Sequence, residues 1–408
     1  MKIRLTLLIV AILLVGGTLF LLQRERLPEY RTDLSELASE PDWATLQPLR
    51  SSLSAAEFTE QLQRYFVVGD TWKEQLEVRP DGIYDQAQQE RLYAFAPAQT
   101  PTRYWRSKEQ LPARPAARPL QGIKITLDPG HIGGKFAKLE ERWFRIGDSL
   151  PVMEGEMVLL VAQLIAPQLR ALGAEVSFTR DENKPVTRQR TPHFQALAKA
   201  KVQTRGLDPA LTNLYAEKLF YRTAEIRARA AMINKRLQPD LVVALHFNAE
   251  AWGDPATPTL TENNHFHILL NGAYTAGEVK RADQRYEMIR RILQGTLTEE
   301  IALSEHFVTS FRKHTALPPY RYEPNSTRAK PVDADGYVWT RNLLANRLYE
   351  CPTIFLEPYV MNSQEVFDRV QLGDYEGTQL VNGEQKPSIF REYATSVVDA
   401  LVSYYTAP

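Results

Sequence analysis

The chain has almost no cysteine. Cys351 stands alone among 408 residues, which excludes an internal disulfide and any cysteine-built metal site. Histidine is scarce as well, at seven, so a metal centre has to be made from a few imidazoles and carboxylates. No charge of one sign prevails: Lys+Arg and Asp+Glu are 49 each, and nucleic acid is therefore not an expected partner. Internal repeats and low-complexity tracts are missing. One long uncharged run is present, Leu5 to Leu22, which as a helix spans roughly 27 Å. Arg24, Glu25 and Arg26 close it. We read residues 1–26 as a membrane anchor, with a cleaved secretion signal cut near Gly16-Gly17-Thr18 as the alternative. The remaining chain is expected on the extracytoplasmic side, periplasmic or cell-envelope, anchored to the inner membrane.

What is there divides into three further stretches. Residues 27–100 read as a small α+β region. Ser54 and Glu57 form a capping-box pattern, Phe58, Leu62 and Phe66 repeat at helical spacing, and Pro80-Asp81-Gly82 marks a turn between short strands. Residues 101–121 carry Pro101, Pro112, Pro115 and Pro119 with five basic side chains, and are expected to be a solvated linker. From 122 to 408 strands and helices alternate. Ile123 to Leu127 alternates strictly, Leu241 to Leu245 is unbroken apolar, and Thr353 to Leu356 is a further buried strand. Helices are expected over 154–172, 217–237 and 283–303, with a last one through Ala394, Val398, Leu401 and Tyr405. The fold class is α/β: a single, mostly parallel sheet with helices on both faces.

Three chemically capable residues end strands of this sheet. His131 follows the first strand in Asp128-Pro129-Gly130-His131, His246 follows Leu241 to Leu245, and Glu357 ends Ile354-Phe355-Leu356-Glu357. Carboxyl ends of parallel strands share one edge, where ligands bind. A catalytic zinc takes three protein ligands, commonly two His and one carboxylate, and keeps a position for water. A second carboxylate, not a ligand, then moves the proton. Glu154, at the start of the helix after His131, is the best third ligand; Glu156 faces elsewhere on that helix. His265 and His267 share one strand face and suit hydrogen bonding better than a second metal. Tyr320, Arg321, Tyr322, Arg328 and Lys330 could grip a glycan or a carboxylated peptide, or be a packed loop.

Residues 122–250 and 340–365 resemble the zinc-dependent N-acetylmuramoyl-L-alanine amidases, in the type 3 catalytic domain. The resemblance rests on Asp128-Pro129-Gly130-His131, Glu154, Gly173 through Val176 to Thr179-Arg180, Arg229, Asn234, Asp240, His246-Phe247-Asn248-Ala249 and Glu357. It implies that His131, Glu154 and His246 bind Zn2+ and that Glu357 is the catalytic general base. It implies hydrolysis of the amide between N-acetylmuramic acid and L-alanine in peptidoglycan, with cell wall or muropeptide as substrate. The chain departs from the family at Ile132, inserted before Gly133-Gly134, at Gly155, and after Glu357. Long insertions at 132–153, 183–218 and 272–345 leave two rivals open: a metal-free peptidoglycan-binding or activator protein, and a zinc peptidase with another amide substrate. A protein activator is not identifiable from these residues.

Overall fold

The computed structural model describes residues 30–49, 53–95, 102–255 and 257–407. The anchor expected over 1–26 lies outside the described residues. Among them, no helix is long and apolar enough to cross a membrane.

The first elements form where their local chemistry calls for them. Ser54 caps α1 (Ala55–Gln61): its hydroxyl accepts from the Glu57 amide at 3.2 Å, and the Glu57 carboxylate accepts from the Ser54 amide at 2.8 Å. A turn at Pro80-Asp81 folds β1 (Leu76–Arg79) onto β2 (Gly82–Asp85), and β3 (Arg91–Ala94) adds a third antiparallel strand. This layer shares its core with the rest of the chain. Phe58, Leu62 and Phe66 belong to the same apolar cluster as Ile125 and Leu127. Val67 bridges Tyr274, and the Lys330 ammonium donates to the Val67 carbonyl at 3.0 Å.

The Pro/Arg-rich stretch expected to be a linker is packed instead. Trp105 is 2% exposed and shares a cluster with Ile233, Val242 and Phe355. The Arg103 guanidinium lies 3.4 Å from the centroid of the Trp105 ring, and Arg106 pairs with Asp240 at 2.6 Å. Proline excludes regular hydrogen-bonded structure, but it does not stop an aromatic side chain from burying its area. Trp105→Ala should therefore cost about 3–5 kcal/mol, as other large core truncations do. Urea unfolding checks this, and a change under roughly 0.5 kcal/mol would restore the linker reading.

The central sheet is built from the apolar runs. In chain order the main elements are β4 (Lys124–Pro129), α2 (Glu154–Ala171), β5 (Glu175–Phe178), α3 (Glu225–Met232), β6 (Leu241–Leu245) and β7 (Phe266–Leu270). Then come α4 (Ala282–Gln294), α5 (Thr296–Thr315), β8 (Lys330–Pro331), β9 (Val338–Thr340), β10 (Thr353–Pro358) and α6 (Ile389–Thr406). Strand order is β8-β9-β7-β10-β6-β4-β5. β10, β6, β4 and β5 run parallel. β7 lies antiparallel to β10, β9 parallel to β7, and β8 antiparallel to β9. Side chains alternate across the sheet, and both faces are covered. Val243, Leu245, Ile354 and Leu356 join the cluster that holds Val158 and Ile165 of α2, Leu303 of α5 and Leu401 of α6. Val242, Ala244 and Phe355 face Ala230 of α3 and Leu348.

One helix expected over 283–303 is two. Gly295 adopts φ 69, closes α4 in the left-handed conformation and starts α5, which runs on to Thr315. Cys351 is buried, and burial pushes its thiol up to about 12, so it serves as a small apolar residue.

Candidate metal centre

The loop after β4 is shaped for close approach. The Gly130 amide donates to the Leu245 carbonyl at 2.9 Å, and a Cβ at Gly130 would lie 2.2 Å from the His246 ring. His131 itself sits at φ 55. Such a backbone is sparsely populated for a residue with a Cβ and persists only when its surroundings hold it. Two buried arginines do so. Arg180 donates to the carbonyls of Pro129, Gly130, His131 and Gly155, and Arg229 donates to those of Pro129 and His131. The Glu140 carboxylate accepts from the Ile132 amide at 2.8 Å and the Gly133 amide at 2.9 Å. The two local departures from the amidase pattern fit each other. A Cβ at Gly155 would lie 2.5 Å from the Gly133 nitrogen, so the extra residue Ile132 lets the loop rest on the first turn of α2 only because Gly155 has no side chain.

Glu154 opens α2 and is 1% exposed. One oxygen lies 2.9 Å from His246 Nδ1 and accepts from the Phe247 amide at 3.2 Å. The other lies 3.1 Å from His131 Nε2 and 3.1 Å from Arg142 Nε. The three sequence-predicted ligands therefore converge, with one ligand atom from each all within 4.8 Å of one another. The His246 ring stacks on Phe355 at 4.2 Å, which fixes its plane. Glu156 stands apart, accepting from Asn183 Nδ2 at 3.4 Å.

Charge in the cluster is shared unevenly. Burial pulls the His131 imidazolium down, but Glu154 and Glu140 outweigh it and raise His131 to about 9. Burial pushes Glu154 up, yet His131 first and His246 after it hold Glu154 well below the usual carboxylate range. Burial wins at His246, which is lowered. Two nitrogens and an oxygen at this spacing are the donor set that zinc takes, and the residues fit it.

No family model matches the chain, and no curated protein does. Solved structures do. The chain is similar to the apo N-acetylmuramyl-L-alanine amidase Ami1 from Mycobacterium abscessus, at 16% identity over 70% of this chain and 99% of that one, with a TM-score of 0.38. It is similar to the catalytic domain of the amidase CwlV from Bacillus (Paenibacillus) polymyxa var. colistinus, at 14% over 69% and 97%, TM-score 0.38. It is also similar to the amidase AmiC2 of Nostoc punctiforme, at 14% over 70% and 96%, TM-score 0.35. At these TM-scores the likeness carries no weight for the chemistry, which has to rest on the residues.

Glu357 lies outside the ligand cluster. It sits on β10 directly opposite His267 of β7, so the two side chains stand on one sheet face. Burial, then the Glu154 charge, pushes the Glu357 carboxyl up to about 8, against the pull of Arg142, Arg341 and His131. A cleft of about 580 Å3 covers the cluster, lined by His131, Glu140, Arg142, Tyr221, His246 and Glu357 among others. A second cavity of about 580 Å3 lies beyond Glu357.

The other motif residues are architecture. Asp128 accepts from Thr179, Arg229 and Tyr349, and reaches the His131 loop only through Arg229. Asn234 holds the Leu348 carbonyl and the Glu350 amide. Asp240 ties Arg106 to the Lys124 amide. Glu140, Arg142 and Arg341 were not singled out by sequence. They lie in loops without periodicity, and only their charge, after a strand-end histidine or a short strand, could have marked them.

Proposed function

We propose that this chain is a zinc-dependent hydrolase of the N-acetylmuramoyl-L-alanine amidase kind. The observation that carries the proposal is one carboxylate, Glu154, shared by two imidazoles from the ends of two neighbouring parallel strands, with the protonatable Glu357 facing the same cleft. His131, Glu154 and His246 would hold the metal. Zinc there supplies Lewis acidity, lowering the pKa of a water to about 7 and polarising a carbonyl.

The chain's own residues do the rest. Glu357 accepts the proton of the attacking water and returns it to the leaving amide nitrogen, the task of a carboxylate that faces the cleft without being one of the three converging ligands. Arg142 balances the negative charge of Glu154, and the Phe247 amide fixes one of its oxygens. Phe355 keeps the His246 ring from turning. Muropeptide is the substrate that the amidase resemblance of the motifs favours. The same resemblance, with the uncharged run Leu5 to Leu22, favours work outside the cytoplasm on a membrane tether.

Metal analysis of purified full-length protein, paired with mass spectrometry of digested muropeptides, tests the reading. The expected result is about one zinc per chain and release of free N-acetylmuramic acid ends with L-alanine amino termini. A metal-free chain that still binds the wall would leave a binding or activator protein. Zinc with cleavage elsewhere in the peptide would leave a peptidase.

A further inference from the structure

The second cavity has a composition that the hydrolytic machinery does not use. Its walls include Glu357, His267, Tyr320, Tyr322, Arg328 and Arg341. Tyr320 stacks on His267 at 4.8 Å, Tyr322 meets Tyr320 edge-on at 4.8 Å, and Trp339 meets Tyr322 at 4.9 Å. The Trp339 indole donates to the Gly336 carbonyl at 2.8 Å. This aromatic wall is therefore fixed before anything binds. Arg341 follows β9, and among the described residues its guanidinium finds only the Tyr322 hydroxyl, at 3.4 Å. Arg328, on the exposed side, has no guanidinium partner among the described residues. Neither arginine meets a carboxylate within ion-pair distance among the described residues. His267 is 3% exposed, and its Nδ1 has no hydrogen-bond partner among the described residues. Glu323, at the rim, is the one acid in the lining besides Glu357.

We propose that this cavity is a carboxylate-recognition subsite for the peptide part of the substrate, with Arg341 and Arg328 as its anion-binding groups. The proposal rests on the hydrolase reading for the position of the scissile amide, beside Glu357. A guanidinium presents a planar fork that matches a carboxylate bidentately. One held half-buried beside phenols and an imidazole is partly stripped of water before a carboxylate arrives. Because Arg341 borders both cavities, it sits where a chain passing Glu357 would leave the metal cleft. Tyr320 and Tyr322 offer apolar faces to the chain between the carboxylate and the amide.

The test uses full-length, zinc-loaded protein with two matched muramoyl peptides, one with free carboxylates and one with every carboxylate amidated. The native chain should prefer the free acid by about 10- to 100-fold in kcat/KM. That preference should fall to about unity in Arg341→Gln and drop several-fold in Arg328→Gln. Arg328 is on an exposed loop, so its variant keeps the test open if Arg341→Gln fails to fold. Amidating the side-chain and the C-terminal carboxylates separately tells which of them is read. Calorimetric binding of the same peptides, without turnover, separates this proposal from the hydrolase reading. Discrimination in binding without any cleavage leaves the subsite standing and removes the amidase. Cleavage with equal use of both peptides, or equal effects of the arginine variants on both, overturns the subsite.

Discussion

Glu357→Gln should retain roughly stoichiometric zinc while turnover falls by about two to four orders of magnitude, the usual scale for general acid–base catalysis. The two effects separate because Glu357 is not one of the three converging ligands. It comes from β10, whereas Glu154 comes from α2 and His131 and His246 follow β4 and β6. The amide of glutamine keeps the shape and takes away the proton acceptor. Burial raises this carboxyl in the metal-free cluster, so a neutral amide of the same shape should disturb the fold little. Metal content by atomic emission and single-turnover rates decide the matter. Should the variant lose zinc as readily as a histidine variant, Glu357 is a ligand and the base lies elsewhere.

His131→Ala and His246→Ala should each lose bound zinc and turnover together. Removing one of three donors should exceed the roughly 10- to 100-fold loss of affinity that changes around a ligand shell cause. Glu154→Gln should also weaken the metal clearly, since its two oxygens face one imidazole each. Glu156→Gln is the control on the same helix turn: its carboxylate faces Asn183, outside the cluster. Competition with a chelator of known affinity reads all four variants on one scale. If Glu156→Gln strips the metal while Glu154→Gln keeps it, the register of the ligand on α2 is wrong by two residues.

The legible parts of this fold are those whose side-chain period leaves no second choice. Leu241 to Leu245 and Ile354 to Leu356 are apolar on both faces because both faces are covered, and their ends placed His246 and Glu357. Ser54 and Glu57 announced α1 through a reciprocal pair of hydrogen bonds. β8 and β9 escaped notice, having two and three residues amid proline, arginine and tyrosine. Gly295 was read through rather than as a stop, since the apolar period continues across it. Trp105 was the missed signal in the proline-rich stretch: proline counts describe the backbone, and the buried indole decides the packing. Within the site, the strand ends and the helix start marked His131, Glu154 and His246, which the structure brings together, and Glu357, which it places in the same cleft. Glu140 and Arg142 were not, because an aperiodic loop gives no hint of which side chain turns inward.

The two arginines behind the His131 loop bear on which metal ion the site can prefer. Arg180 and Arg229 occupy the carbonyl oxygens of residues 129 to 131, and the Glu140 oxygens are taken by the Ile132 and Gly133 amides. Calcium looks for six to eight oxygens, and magnesium for a near-ideal octahedron of them. Here these loop oxygens are already hydrogen-bonded, and the converging donors are two imidazoles with a single carboxylate. If the proposed zinc reading holds, the positive clamp that holds the backbone in place should also disfavour hard cations, and competition of calcium and magnesium against zinc would read this.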